Sequence, residues 1–375
     1  MSRVKLGDVA FERKETLKNN TGYSTVGLEH IIPEEIELTN WDEGAENTFT
    51  KVFHVGDVLF GRRRAYLKKA AVAPIDGICS GDITVIAAFE DKICPRLLPF
   101  VIQNDKFFDF AVEKSAGSLS PRVKWQHAKE FEFELPEMEQ QEKLADILWA
   151  MYATKAAYKK LQKQTDELVK SQFIEMFGDL CKNSKGYDLR PLSELLLIER
   201  GGSPRPIADY ITESEDGVNW IKIGDAEEGS IYITNTKEKI KPEGTKKSRY
   251  VKPGDFLLSN SMSFGRPYIL TIDGYIHDGW LVLRDEQDIF NKKFLYALLS
   301  SSYASSSFES MAAGSVVKNL NKDLVGRLMV PVPSMDEQKQ YADFLEQSDK
   351  SKFEAEKALE ELNATYKKII LENLG

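Results

Sequence analysis

The chain has 375 residues, 42% hydrophobic and 29% charged, which fits two or three globular domains with cores of their own. No run approaches 18 consecutive apolar residues and the start, Met1 to Asp8, lacks an apolar leader core, so neither a membrane span nor a secretory signal is expected. Three cysteines (Cys79, Cys94, Cys181) without paired spacing argue against a disulfide framework or a zinc site, and a net charge of −9 argues against a uniformly basic nucleic-acid binder. The expectation is a cytoplasmic chain without metal.

In chain order, Tyr23 to Gly27 reads as a core strand. The turn Val55-Gly56-Asp57-Val58-Leu59 then leads into a basic run, Phe60 to Lys69, that carries Arg62, Arg63, Arg64, Tyr66, Lys68 and Lys69. Asp82 to Ala88 is strand-like, and short helices are expected between Arg96 and Lys114. Ser115 to Trp125 is a loop of small and basic residues that includes Ser118, Arg122 and Lys124. Phe131 to Leu135 alternates with period two, as a half-buried strand does. From Glu137 to Phe177 there is neither glycine nor proline, and Leu144, Ile147, Met151, Tyr158, Leu161 and Leu168 recur at helical spacing. This predicts one long helix of roughly 60 Å with a coiled-coil-like seam. Gly178 follows, where a helix ends most easily on glycine.

Beyond Gly178 the pattern begins again. At a shift of 197, Ala116-Gly117-Ser118 falls on Ala313-Gly314-Ser315, Pro136 on Pro333, Gln141 on Gln338, Leu148 on Leu345 and Gly178 on Gly375. Asp76-Gly77 matches Asp273-Gly274 at the same shift, and the Gly-Asp turn recurs as Pro253 to Leu257 one residue further on. A constant offset over a hundred residues marks an internal repeat. In the second copy Trp220 to Gly224 and Trp280 to Leu283 are strands, with short helices between Asn291 and Met311. Leu328 to Val332 is the counterpart of the alternating strand, and Ser334-Met335-Asp336-Glu337 is a capping box. Tyr341, Leu345, Ser348, Ala355, Leu359, Leu362, Tyr366 and Ile369 form the second seam. The predicted fold is α+β, with two repeated globules, each followed by a long helix. The two helices either cap their own globules or pack against each other antiparallel, and the repeat favours the second arrangement.

Catalytic patterns are missing from the sequence. It has no GxxxxGK[ST] loop, no GxGxxG after a strand, no HExxH, no GxSxG and no Asn-Pro-Pro-aromatic tetrapeptide. His30, His54, His127 and His277 stand apart from one another and read as structural or surface residues. What remains is suited to recognition. The two long helices carry −5 of the net charge, so the globules are close to balanced and their bases cluster. Arginine pairs bidentately with guanine and asparagine with adenine, while serine and lysine reach phosphates. At the place of the basic run the second copy has Leu258 to Arg266, with Ser259, Asn260, Ser261 and Arg266. Two different segments at one structural place are what two readers of different sequences require, although a basic run is also what an ordinary solvated charge cluster looks like. The loop of Ser118, Arg122 and Lys124 has its counterpart in Ser315, Lys318, Asn319 and Asn321, and Lys246, Lys247 and Arg249 add charge to the second globule. These loops also read as packing turns.

The arrangement resembles the specificity subunit of type I restriction–modification enzymes. The likeness covers essentially the whole chain and rests on the duplicated globule-and-helix order, the Gly-Asp turns at 56–57 and 254–255, the Ala-Gly-Ser turns at 116–118 and 313–315, and the entries Pro136 to Lys143 and Pro333 to Lys339. The resemblance implies target recognition domains at 1–136 and 179–333, and long spacer helices at 137–178 and 334–375 that pack as an antiparallel coiled coil. It implies that the chain recognises a bipartite double-stranded DNA site and has no catalytic residues of its own. Two methyltransferase subunits and restriction subunits would be its partners, with S-adenosylmethionine, ATP and Mg²⁺ held by them and no cofactor in this chain. Two rival readings are a coiled-coil scaffold whose globules bind proteins, and an enzyme with an unrecognised nuclease site.

Overall fold

The computed structural model describes residues 2–17, 22–44, 47–117, 119–226, 230–260, 264–312 and 319–375. The chain divides into two compact units, Met1–Gln162 with Glu354–Gly375, and Lys163–Phe353. Among the described residues no helix is long and apolar enough to cross a membrane.

In the first unit, the strand Ser2–Lys5 pairs antiparallel with Glu132–Leu135, which leads directly into the first long helix, Met138–Phe177. Between them lie two four-stranded sheets. One has the order Ala10–Glu12, Ile83–Ala88, Val58–Gly61, Ala70–Val72. The other has the order Asp42–Glu43, Ser24–Val26, Gly77–Cys79, Lys51–Phe53, with the middle pair parallel. The apolar run Val58-Leu59-Phe60 follows from burial on both faces. Successive side chains of a strand point to opposite sides. Val58 and Phe60 therefore join the core under the helices Leu98–Ile102 and Asp105–Glu113, while Leu59 joins the core between the two sheets.

The second unit repeats this plan. Leu189–Pro191 pairs with Met329–Pro331 ahead of the second long helix, Met335–Leu374. Leu197–Arg200, Trp280–Arg284, Phe256–Ser259 and Pro267–Leu270 occupy the same order as the first sheet, extended by Tyr232–Ile233. Glu238–Ile240, Val218–Ile221, Gly274–Ile276 and Arg249–Val251 repeat the second sheet, extended by Ile211–Thr212. Phe256 and Leu258 face the helices Lys292–Ser300 and Ser302–Ala312, and Leu257 faces the other sheet. The Gly-Asp turn is built alike in both copies. Gly56 and Gly254 have φ of +89° and +90°. The carboxylate of Asp57 accepts from the His54 amide at 2.9 Å, and that of Asp255 from the Lys252 amide at 3.1 Å.

Each long helix contributes to both units. In the first unit Leu144, Ala145 and Leu148 share a core with Ile370 and Leu374 from the end of the second helix, and the Lys155 ammonium lies 4.9 Å from the Tyr366 ring centre. In the second unit Phe177 meets Tyr341 with ring centres 5.6 Å apart, and Lys352 pairs with Asp166 at 2.6 Å. Going up the first helix from Asp166 to Phe177 goes down the second from Lys352 to Tyr341, so within this unit the helices run antiparallel. The capping box forms as expected, with the Ser334 amide donating to Glu337 at 2.9 Å and the Glu337 amide donating to the Ser334 hydroxyl at 3.4 Å.

One expectation needs correction. Ile147, Leu161 and Leu168, placed in the first seam by their heptad spacing, are 50%, 48% and 53% exposed. The buried line runs instead through Gln141, Leu144, Ala145, Leu148, Phe173 and Phe177. A straight α-helix drifts against a strict seven-residue repeat. This helix is also anchored sideways to its globule, the Trp149 indole donating to the Arg96 carbonyl at 2.9 Å.

Candidate nucleic-acid interface

The strand Val58–Gly61 ends where the basic run begins, and the main chain there is tied on two sides. The Arg62 amide donates to the Asp82 carbonyl at 3.0 Å, and the Arg62 carbonyl accepts from the Val123 amide at 3.0 Å. In the second unit the Asn260 amide donates to the Gly279 carbonyl at 2.9 Å, and its carbonyl accepts from the Leu320 amide at 2.9 Å. Gly279 and Leu320 are the repeat partners of Asp82 and Val123. Arg62 and Asn260 therefore occupy one backbone site with two different side chains.

Around Arg62 the surface is positive and only partly neutralised. The buried Nε atoms of Arg62 and Arg63 have no hydrogen-bond partner among the described residues. Arg63 donates to Asp82 at 3.3 Å and to the Ser120 hydroxyl at 3.1 Å. Arg122 donates to the same carboxylate through Nε at 2.7 Å and Nη2 at 3.4 Å. The Arg122 guanidinium, helped by Arg63, holds the Asp82 carboxyl below its ordinary range despite the cost of burial. Burial lowers the nearby Lys51 ammonium, and the Arg62 charge adds to that effect. Arg64 and Lys124 are exposed, Tyr66 stands 55% exposed beside them, and Arg64 has a φ of +54°.

The second unit gathers its charge on a related surface. Asp278 accepts from the Ser203 hydroxyl at 2.8 Å and from Arg205 at 3.3 Å, and lies 2.9 Å from the His277 ring. Burial opposes ionisation of Asp278, yet Ser203, His277 and Arg205 together hold its carboxyl below the usual value. Burial also lowers the His277 pKa, against the pull of Asp278. The Ile276 carbonyl accepts from the Gly202 amide at 3.1 Å and the Ser248 hydroxyl at 2.8 Å. That tie brings the exposed Lys246 and Lys247 next to the segment carrying Ser203 and Arg205. Among the described residues no group of three His, Cys, Asp or Glu side chains could hold a metal ion. An arrangement of forked cations around fixed carboxylates suits recognition of an anion.

Residues 184–364 match the family model described as the type I restriction modification DNA specificity domain. The chain is 22% identical to a type I restriction enzyme specificity subunit, MjaX, assigned in Methanocaldococcus jannaschii, over 91% of this chain and 85% of that one. The residues that match the family model make up just under half of the chain and lie mostly in the second unit, whose plan repeats that of the first. The matched model is one of DNA specificity. Two solved structures share the fold. A chain from a type I restriction–modification system, described in a study of complex assembly and conformational transition, superposes with a TM-score of 0.65 at 20% identity, covering 99% of this chain and 97% of that one. The type I specificity subunit from M. genitalium superposes with a TM-score of 0.60 at 13% identity, covering 100% and 96%.

The residues singled out from the sequence fall into three groups. Arg62, Arg63, Arg64, Tyr66, Arg122 and Lys124 come together on the first unit, and Lys246 and Lys247 flank the Asp278 cluster on the second. Others are engaged elsewhere. Lys68 pairs with Asp105 at 2.6 Å, Lys69 donates to the Leu28 carbonyl at 2.6 Å, and Arg249 pairs with Glu199 at 3.4 Å. Asn321 caps the helix Lys322–Gly326, accepting from the Asp323 and Leu324 amides. Ser259 and Asn260 are fully buried, with Ser259 accepting from the Arg266 amide and Asn260 donating to the Asp278 carbonyl at 2.8 Å. Arg266 is exposed, and the Asn319 carbonyl oxygen is buried without a partner among the described residues. Ser118, Ser261, Ser315 and Lys318 lie outside the described residues. Sequence reasoning missed Asp82, Ser120, Ser203, Arg205 and Asp278. Only Gly201-Gly202-Ser203-Pro204, a turn signal next to an arginine, could have drawn attention to one of these clusters.

Proposed function

We propose that this chain recognises a bipartite site in double-stranded DNA, one half through residues 1–136 and the other through residues 179–333. The segments 137–178 and 334–375 act as the spacer helices that fix the distance between the half-sites. The chain brings two methyltransferase subunits, and with them restriction subunits, to that site in the cytoplasm. S-adenosylmethionine, ATP and Mg²⁺ belong to those partners, and this chain holds no cofactor. The contacts assigned to the first half are Arg62, Arg63, Arg64, Tyr66, Arg122 and Lys124, and those of the second include Lys246, Lys247 and Arg205.

The observation that carries this reading is the equivalence of Arg62 and Asn260. One backbone site is kept by the same hydrogen bonds in both units, while its side chain and its surroundings differ. Asn260 itself is buried, so the difference that matters is in the exposed residues around this shared site. These are Arg64, Arg122 and Lys124 in one unit and Arg205, Lys246 and Lys247 in the other, and two different readers on one duplicated scaffold need that combination. The test is the DNA methylation map of cells that express the chain together with its methyltransferase partner. The expected result is a split motif with adenine modified on both strands. Sequence-independent modification, or one continuous motif, would contradict the proposal.

A further inference from the structure

Each unit places one carboxylate among its arginines, and does so on the same short turn. Ser80-Gly81-Asp82 joins the strands Gly77–Cys79 and Ile83–Ala88, and His277-Asp278-Gly279 joins Gly274–Ile276 and Trp280–Arg284. The acid does not sit at one repeat position, since Asp278 corresponds to Gly81 and Asp82 to Gly279. Nor do the cations correspond. Asp82 takes Arg63 from the basic run and Arg122 from the loop after Lys114. Asp278 takes Arg205, with the Ser203 hydroxyl, from the segment that follows Leu197–Arg200. The Asp278 carbonyl also accepts from Arg200 at 3.1 Å. The same arrangement is thus assembled twice from residues that the duplication did not supply in common.

The Asp82 side chain is 20% exposed and that of Asp278 is 35% exposed. Arg122 and Arg205 leave 43% and 69% of their side chains open. A guanidinium offers five donors in a rigid fork, so a carboxylate on one edge fixes the plane and leaves the remaining donors aimed outward. It also cancels positive charge that would otherwise attract any phosphate backbone regardless of sequence.

We infer that Asp82 and Asp278 are positioning residues for DNA recognition, the Asp82 carboxylate holding the guanidinium groups of Arg63 and Arg122 and the Asp278 carboxylate that of Arg205 in a fixed orientation, and withholding their charge from phosphates. The inference rests on the function proposed above. It gives the surface selectivity at the expense of backbone affinity, and it accounts for acids standing among the arginines of an acidic chain.

The experiment titrates the full-length chain, purified with its co-expressed methyltransferase, onto a 40-base-pair duplex of random sequence and onto one carrying the motif from the methylation map. Both titrations are repeated over a series of salt concentrations. With Asp82→Asn, which frees Arg63 and Arg122, the slope of log affinity against log salt on random duplex should steepen by about one to two. Affinity for random duplex at low salt should rise by about fivefold or more, and the preference for the motif should fall. Asp82→Glu, which keeps the charge, should retain the wild-type slope. Asp278→Asn provides the same test in the second unit, at a more exposed group whose neutralisation spares the core. An unchanged or shallower salt slope in both Asp→Asn variants overturns the inference, because a merely structural acid would lower affinity for both duplexes alike. A wild-type complex with no preference for the motif would instead remove the proposed function itself.

Discussion

Gln141 and Gln338, one repeat apart, make the same hydrogen bonds in two places. The Gln141 carbonyl oxygen accepts from the Cys94 amide at 2.8 Å, and its amide nitrogen donates to the Pro136 carbonyl at 3.0 Å and the Lys92 carbonyl at 3.5 Å. The Gln338 carbonyl oxygen accepts from the Asn291 amide at 2.8 Å, and its amide nitrogen donates to Pro333 at 3.0 Å and Ile289 at 3.1 Å. Both side chains are buried. Each fastens the first turn of a long helix to the loop that enters the globule's own helices.

Removing either glutamine strands a buried amide and two carbonyls. Gln141→Ala and Gln338→Ala should each cost about 2 kcal/mol locally, since an unpaired buried group forfeits its full desolvation energy. Hydrogen exchange should accelerate about 30-fold around Cys94 in the first variant and around Asn291 in the second, each without effect on the other copy. Unaltered exchange at both sites would contradict the anchoring role.

Gly77 and Gly274 admit no side chain for the same reason in each unit. A Cβ on Gly77 would lie 2.5 Å from the Ser24 carbonyl oxygen, and one on Gly274 would lie 2.8 Å from that of Asn219. Both carbonyls belong to the start of the strand that pairs in parallel with the glycine's own, so they cannot easily withdraw. Gly77→Ala and Gly274→Ala should destabilise by about 1–3 kcal/mol, as overpacked sites do. Thermal unfolding should report a lower midpoint for each, and an unchanged midpoint would show that the sheets can separate there.

The Asp82 clasp should have a definite pH signature. Its folded carboxyl lies below the ordinary 3.8, so the folded state favours the ionised form. That contribution is fully present above the unfolded value and disappears as pH falls through the depressed folded value. The stability gap between the wild type and Asp82→Asn should be constant from pH 7 to about pH 5 and close below about pH 4. Denaturant titrations at several pH values check this, and a gap that persisted into acid would assign the stabilisation to something other than the charge.

What could be read in the sequence was local or periodic. The long helices, the capping box at Ser334, the Gly-Asp turns and the constant shift between copies all appear as spacing along the chain. The doubled sheets were hidden because Val58-Leu59-Phe60 is apolar throughout, and a strand buried on both faces shows no alternation. The fate of the basic run was hidden as well. Lys68 and Lys69 are drawn to Asp105 and the Leu28 carbonyl, partners 37 and 41 residues away. Asp82 gathers Arg63 and Arg122 from opposite directions in the chain, and no spacing rule joins the three. Ser259 and Asn260 looked like polar loop residues, but the end of their strand turns them inward.

The central claim is that each unit reads its own half of a split site, and one measurement meets it directly. Arg62→Ala with Arg64→Ala alters one half-buried and one exposed side chain that carry no ion pair among the described residues, so the fold should be kept. The DNA methylation map of cells expressing this variant with its methyltransferase should then show one half of the motif relaxed, at about 1–3 kcal/mol for each base left unread. The other half-sequence and the spacer should be unchanged. A motif altered in both halves together, or one left intact in every position at full modification, would contradict the account.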